Sequence, residues 1–179
     1  MKRLLILTLL ALTGAAACSV LAAHVPNKET KVPTCTPLPV SFAEDDLVGT
    51  WIAEYFGGLA TDRLQIRKDG SYTQTYSSEV LRFEGASQRW SLQYDAAGYA
   101  ILHLGGMRRC DDISSICTNQ GGGLPVGEYA INQCTGEYMT YTNEVVLFVT
   151  GAPNMPRGIE LQHARLAGSD WYYTFKLIE

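Results

Sequence analysis

The chain has 179 residues, a length typical of a single domain, and carries a net charge of −4 at pH 7. Only 18% of its residues are charged, while ten tyrosines and three tryptophans are present, which excludes a disordered chain. The acidic balance disfavours binding to the phosphate backbone of nucleic acid, so no nucleic-acid partner is expected.

The N-terminus is typical of a secretory signal peptide, which we assign to residues 1–17. An apolar run over residues 4–17, LLILTLLALTGAAA, follows Lys2 and Arg3 and ends in small side chains. This run is shorter than the roughly 20 apolar residues that span a bilayer. Two interpretations of the cleavage site remain open. Ala15 to Ala17 form an ordinary A-x-A site before a structural Cys18, or Cys18 is itself modified.

Small residues followed directly by Cys18 resemble the lipobox of bacterial lipoproteins. The resemblance implies that Cys18 carries lipid and that the membrane is a partner through this anchor, since more than one attached chain gives stable tethering. Ser19 follows the cysteine, and in that family this position implies the outer membrane, with the protein facing the periplasm.

Residues 18–46 form a predicted tether between the anchor and the domain. Four prolines, at positions 26, 33, 37 and 39, exclude a regular helix or a central strand and favour an extended linker. The acidic residues 44–46 at its end are interpreted as a solvated cluster rather than a metal site.

Residues 47–179 form the predicted domain, in which short β-type runs alternate with turn signals. About eight to nine strands joined mostly by hairpin loops predict an all-β fold, an antiparallel up-and-down barrel without exposed edges.

The first predicted hairpin has a loop of two or three residues around Asp69-Gly70. We expect the three-residue loop 68–70, because it places Ile66 opposite Tyr72 and Leu64 opposite Gln74 and gathers the larger apolar groups on one face.

Two further hairpins are predicted in the same way. A four-residue loop over 95–98 predicts the pairs Trp90–His103, Leu92–Ile101 and Tyr94–Tyr99. A three-residue loop over 134–136 predicts the pairs Tyr129–Tyr141 and Ile131–Met139.

Gly49-Thr50-Trp51 on the first strand resembles the G-x-W motif of the lipocalins and the wider calycin group. In that family the tryptophan closes one end of the barrel and an arginine from a late strand packs across it. The resemblance therefore implies a barrel-closing set of Gly49, Trp51 and Arg165, with Arg157 as the second candidate for the arginine. The T-D-Y motif of the family is missing, and no C-terminal helix is expected.

The cysteines after Cys18 are even in number and suit an oxidising compartment. Cys110 and Cys117 are too widely spaced for a typical metal knuckle, so a disulfide between them is expected. A second disulfide, between Cys35 and Cys134, is then expected by elimination, although four cysteines allow three pairings.

The histidines are scattered along the chain. His24 lies in the tether, and His103 and His163 lie on separate strands. No metal site is expected from them.

No cofactor is expected, and the G-x-S-x-G, H-E-x-x-H and C-x-x-C motifs are absent, which favours a protein that is not an enzyme. The first hypothesis is an anchored barrel that binds a small apolar molecule or lipid. Its candidate lining residues are Trp90, Leu92, Tyr94, Tyr129, Ile131, Met139 and Tyr141. The alternative is a protein–protein interaction module with a packed core, its partner unknown. The third hypothesis is an enzyme with a convergent active site around His103 or His163.

Overall fold

A computed structural model describes residues 35–110, 130–166 and 173–178 of the chain. Three short 3-10 helices span Glu44–Leu47, Phe56–Gly58 and Pro156–Gly158. The strands are β1 (Gly49–Tyr55), β2 (Ala60–Ile66), β3 (Ser71–Ser78), β4 (Arg82–Glu84), β5 (Gln88–Tyr94), β6 (Ala100–Gly105), β7 (Ala130–Ile131), β8 (Tyr138–Met139), β9 (Glu144–Gly151), β10 (Ile159–His163), β11 (Arg165–Leu166) and β12 (Thr174–Leu177).

Eight of these strands form a closed antiparallel barrel. Its order is β1, β2, β3, β5, β6, β9, β10 and β12, and β12 pairs back onto β1 with Trp51 opposite Leu177. Neighbours around the barrel therefore follow chain order, and β4 adds one extra strand on β3. The predicted all-β, lipocalin-like barrel without a C-terminal helix is confirmed. Within the described ranges no helix is long and apolar enough to cross a membrane.

Side chains at every second strand position fill the barrel interior. Every second residue of β1, β2 and β6 is buried, as a period of two requires when one face of a strand meets the core. The largest side chains of this core, all less than 2% exposed, include Trp51, Tyr72, Tyr76, Phe175, Leu64, Ile66, Leu102, Leu104 and Leu147.

One end of the barrel is capped by the 3-10 helix Glu44–Leu47. The indole Nε1 of the fully buried Trp51 donates a hydrogen bond to the Leu47 carbonyl oxygen, 2.8 Å away. The Arg157 guanidinium donates to the carbonyl oxygens of Asp46 and Val48, at 2.7 and 2.6 Å. The acidic residues of this helix are exposed or half-buried, and Asp45 forms an ion pair with Lys68.

A small second sheet packs on the outside of the barrel. It has the order β11-β7-β8 and covers the outer face of β9, where Val146 and Phe148 join a second apolar cluster. Because β9 is buried on both faces, its sequence is continuously apolar rather than alternating. The Cys35–Cys134 disulfide, with 5.1 Å between the Cα atoms, ties the end of the tether to this cluster.

The first hairpin has the predicted register. Ile66 is paired with Tyr72 and Leu64 with Gln74. Gly70 adopts φ +77°, the left-handed conformation that a three-residue loop requires of its last residue.

The other two predicted registers are each wrong by one residue. Trp90, Leu92 and Tyr94 pair with Leu104, Leu102 and Ala100, because the loop has five residues, 95–99. The Asp95 carboxylate holds that longer loop by accepting hydrogen bonds from the backbone N–H groups of Ala97 and Tyr99.

In the third hairpin Ala130 pairs with Met139 and Ile131 with Tyr138. There the Asn132 side-chain oxygen accepts from the N–H groups of Cys134 and Thr135 and tightens the turn.

Candidate functional site

The barrel wall is irregular where β3 changes its partner from β5 to β4. Only two residue pairs join β3 and β5, Ser71 with Arg89 and Tyr72 with Gln88. Farther along, the same edge of β3 pairs with β4 instead, with Tyr76 opposite Phe83. Residues 85–87 connect the two partners and depart from regular pairing, although the Gly85 N–H still donates to the Gln74 carbonyl oxygen over 2.7 Å. A cavity of about 240 Å³ lies at this irregular stretch. We call this cavity the seam cleft; its lining residues are Tyr72, Gln74, Phe83, Gly85, Ala86, Gln88, Gly106 and Arg108.

A three-layer stack forms one wall of the seam cleft. The Arg108 guanidinium carbon lies 4.8 Å from the centroid of the Phe83 ring. Phe83 also stacks on Tyr76, with centroids 5.8 Å apart and an interplanar angle of 18°. A guanidinium on an aromatic face contributes about 0.5–1 kcal/mol at exposed sites. The Phe83 ring therefore restricts where the exposed Arg108 guanidinium lies.

Gln74 fixes the backbone of Arg108 to the barrel. The Arg108 N–H donates to Gln74 Oε1 over 2.9 Å, and Gln74 Nε2 donates to the Arg108 carbonyl oxygen over 2.8 Å. The same Nε2 also donates to Asp62 Oδ2 at 2.9 Å. Because Gln74 is only 3% exposed, the position of Arg108 is set from inside the barrel.

Asp62 lies directly behind this clamp and is 1% exposed. Its Oδ2 also accepts a hydrogen bond from the Tyr55 hydroxyl over 3.3 Å, whereas Oδ1 has no partner within the described part of the chain. Burial raises the pKa of Asp62 from its usual value near 3.8 to about 7, although the hydrogen bonds from Gln74 and Tyr55 oppose this shift. The charge of the Asp62 carboxyl therefore changes with pH within the physiological pH range.

Aromatic rings surround the Asp62 carboxyl. Tyr55 meets Tyr173 edge to face, with centroids 3.9 Å apart, and lies 6.3 Å from Tyr76. Burial, together with the negative charge of Asp62, raises the pKa of the Tyr55 hydroxyl well above 10. The tyrosine therefore keeps its proton and acts as a hydrogen-bond donor to Asp62.

The predicted lining residues do not gather at one place. Trp90 and Leu92 are half-buried against the main core, but Tyr94 is 59% exposed. Met139 and Tyr141 belong to the second cluster, outside the main core. Ile131 is half-buried in β7, and Tyr129 lies outside the described residues. A ligand-binding role for these residues stays a prediction.

The predicted barrel-closing residues lie in two different parts of the structure, and their role stays a prediction. Gly49 and Trp51 begin β1 at the capped end. Arg165 lies in β11, opposite Ile131 in the small sheet, and its side chain is outside the described residues. Arg157, the second candidate, makes the two hydrogen bonds beside the Trp51 end of the barrel.

The predicted Cys35–Cys134 disulfide is confirmed. Cys110 is also disulfide-bonded, but its predicted partner Cys117 lies outside the described residues. Cys18 and the signal peptide are outside them as well.

The strand histidines occupy separate environments. His103 lies 3.1 Å from the Glu144 carboxylate, and the buried His163 contacts the Ala164 carbonyl oxygen. Across the three described ranges no group of three or more metal-ligand side chains forms.

Sequence reasoning did not single out Asp62, Gln74 and Arg108. A signal for two of them was present, because Asp62 alternates with Leu64 and the predicted register places Gln74 opposite Leu64. Both polar residues thus share the interior face of the hairpin. Nothing in the sequence pattern around Arg108 indicates that it returns to this face.

Comparisons with known proteins add no relative. No family model, curated protein or solved structure matches the chain.

Proposed function

We propose that this chain is a tethered, non-enzymatic binding protein of the bacterial cell envelope that holds a small molecule in the seam cleft. The observation that carries the proposal is the cavity at the irregular stretch of barrel wall where β3 changes partner between β5 and β4. An otherwise continuous eight-stranded barrel has at this point a cavity with aromatic, amide and cationic groups around it. Ligand sites combine apolar walls with a few directed polar groups in this way.

The barrel interior is less suited than the seam cleft to binding a ligand. Its central side chains, such as Leu102, Leu147 and Phe175, are fully buried against one another in the main core. An eight-stranded barrel has room for side chains or for one small ligand, and here side chains occupy the centre. The ligand proposed here is therefore bound at the wall, and it is more polar than the apolar molecule expected from the sequence.

The size of the seam cleft limits the ligand. Its volume of about 240 Å³ lies just below the range of roughly 300–1,000 Å³ that is usual for drug-sized molecules. The proposal is therefore a metabolite-sized molecule rather than a long acyl chain.

The described end of the tether leaves the seam cleft accessible. Cys35 is linked to Cys134, and Thr36 accepts a hydrogen bond from the Gly151 N–H at the end of β9. Asp45 and the Trp51 cap lie at the end where β1 begins. Attachment through the N-terminus thus reaches the barrel at its capped end, while the cleft opens through the side wall.

Native mass spectrometry of the protein purified from its own envelope tests the binding proposal. We expect a co-purified small molecule in the wild type. In Ala86→Phe, a ring enters the cleft, and the molecule should be lost. Ala97→Phe, on the exposed hairpin loop 95–99, is the matched control and should retain it. Ligand-free wild-type protein, or equal retention by both variants, contradicts the proposal.

The anchor is proposed at Cys18. We expect wild-type protein in the membrane fraction, with a mass increase on its N-terminal peptide, and Cys18→Ala in the soluble envelope fraction. Cys18→Ala protein that stays membrane-bound would contradict lipid attachment at this residue.

An interaction module is the second candidate, favoured by two exposed apolar side chains. Leu59 is 49% exposed and Val80 is 68% exposed, and the pairing of Ala60 with Ser78 places both at the end of the barrel opposite the Trp51 cap. A stoichiometric protein partner that is lost in Leu59→Ser, with no small molecule present, would favour this function.

A further inference from the structure

Among the residues that the structure describes, no carboxylate forms an ion pair with the Arg108 guanidinium of the seam cleft. The ion pairs in the described part of the chain are Lys68 with Asp45 and His103 with Glu144, and neither involves the exposed Arg108. The chain as a whole carries a net charge of −4, so the positive charge of Arg108 is opposite in sign to the net charge of the protein. An exposed arginine that forms no ion pair with the described carboxylates can pair with an anionic ligand, most strongly when its orientation is restricted beforehand.

The orientation of Arg108 is fixed from two directions. Phe83 lies under the guanidinium and is itself stacked on Tyr76. Gln74 holds both the N–H and the carbonyl oxygen of Arg108 through its own carboxamide. The planar fork therefore loses little freedom on binding, and a fork of this kind matches the two oxygens of a carboxylate.

A second polar group lies across the seam cleft. A Cβ atom built on Gly106, at φ +71°, would lie 3.0–3.3 Å from the carboxamide atoms of Gln88, so that amide rests against the glycine backbone. Gln88 is exposed and offers a donor and an acceptor. Besides Gln88, Arg108 and Gln74, the lining consists of small residues and the Tyr72 and Phe83 side chains, which suit a flat apolar body.

We infer that the ligand of the seam cleft is a small organic carboxylate with a flat apolar body, its carboxylate paired with Arg108 and its body between Gln88 and the ring wall. This inference rests on the proposed function and specifies the chemical class of the ligand. A neutral or cationic ligand of the same size would leave the guanidinium without a counter-charge. A long acyl chain would exceed the volume.

Three matched probes test the inference on the full chain: benzoate, benzamide and benzylamine, titrated by calorimetry at the same ionic strength. Their rings are equal and their charges differ. We expect benzoate to bind at least about tenfold more tightly than benzamide, as the loss of a charge-assisted hydrogen bond implies, and benzylamine to show no binding. Added salt should weaken benzoate binding and leave benzamide unchanged.

Variants assign the effect to Arg108. Arg108→Met keeps the apolar stem and should abolish the preference for benzoate over benzamide, while Arg108→Lys keeps the charge and should retain only part of it. The matched control is Arg63→Met, an exposed arginine on the outer face of β2, which should leave all three affinities within about twofold. Unchanged circular dichroism shows that each variant is folded.

The outcomes separate this inference from the proposed function. Equal affinity for benzoate and benzamide, or a preference that survives Arg108→Met, overturns the carboxylate class and leaves binding at the cleft standing. Wild-type protein that binds none of the probes and carries no co-purified molecule overturns both.

Discussion

Replacing Asp62 with asparagine is expected to stabilise the protein at alkaline pH and to remove much of its pH dependence. Burial holds the Asp62 pKa at about 7 in the folded state, against about 3.8 for the ordinary carboxyl. The folded protein thus keeps this proton up to neutral pH, while the unfolded chain releases it near pH 4. The contribution of Asp62 to stability is therefore most favourable below pH 4, becomes less favourable as pH rises from about 4 to 7, and is constant above that range.

The size of the expected change in stability follows from the pKa shift of Asp62. Roughly three pKa units at 1.36 kcal/mol each give a cost of about 4 kcal/mol for the ionised Asp62 above pH 7. Asparagine does not ionise, but one of its amide groups would occupy the position where Oδ1 has no partner, at a cost of about 1–3 kcal/mol. We expect Asp62→Asn to be more stable than the wild type by about 1–3 kcal/mol at pH 8.

Urea unfolding at pH 5 and pH 8 measures this effect. The wild type should lose about 3 kcal/mol from Asp62 between the two values, and Asp62→Asn should not show this loss. Asp45→Asn is the matched control, since Asp45 is exposed and its ion pair is solvated; its pH profile should parallel that of the wild type. A parallel profile for Asp62→Asn, or a large destabilisation at pH 8, would refute this reasoning.

Three further predictions concern the frame of the barrel. The Cys35→Ser/Cys134→Ser double variant should lose about 4–5 kcal/mol of unfolding free energy in denaturant titrations, because the disulfide closes a loop over 99 positions; equal stability would contradict this role. Trp51→Phe should lose at least about 1 kcal/mol, since its buried indole donates a hydrogen bond to the cap, and a Tm equal to that of the wild type would count against the cap. In Gly151→Ala the new Cβ meets the Pro37 carbonyl, so we expect about 1–3 kcal/mol of destabilisation and faster proteolysis after residue 35; an unchanged proteolysis rate would argue against this contact.

The barrel was predictable because its signals are local. Strand order follows from short hairpins in chain order, and the first hairpin has a glycine at the one position where the loop needs a left-handed residue. The pairing of Cys35 with Cys134 followed from counting cysteines, although three pairings were open.

Details that depend on side-chain hydrogen bonds in turns were not predictable. A single carboxylate, that of Asp95, binds two backbone N–H groups and lengthens its loop by one residue, which reverses the faces paired across β5 and β6. In the third hairpin the Asn132 side-chain oxygen likewise accepts from two backbone N–H groups, and the register again differs by one residue from the predicted one.

The candidate site was only partly visible in the sequence. Alternation places Asp62 and Gln74 inside, and this could have been used. The division of the β3 edge between β4 and β5 depends on a change of register that no turn signal marks. The return of Arg108 to this edge arises from a tertiary contact with Gln74, 34 positions away, which no local pattern encodes.

A crystal structure of the protein purified from its own envelope tests the central claim most directly. The account predicts electron density for a small molecule in the seam cleft, with an anionic group facing Arg108 and the rest of the molecule beside Gln88. Density for a molecule at the centre of the barrel, or a seam cleft filled by the protein's own side chains, would contradict it.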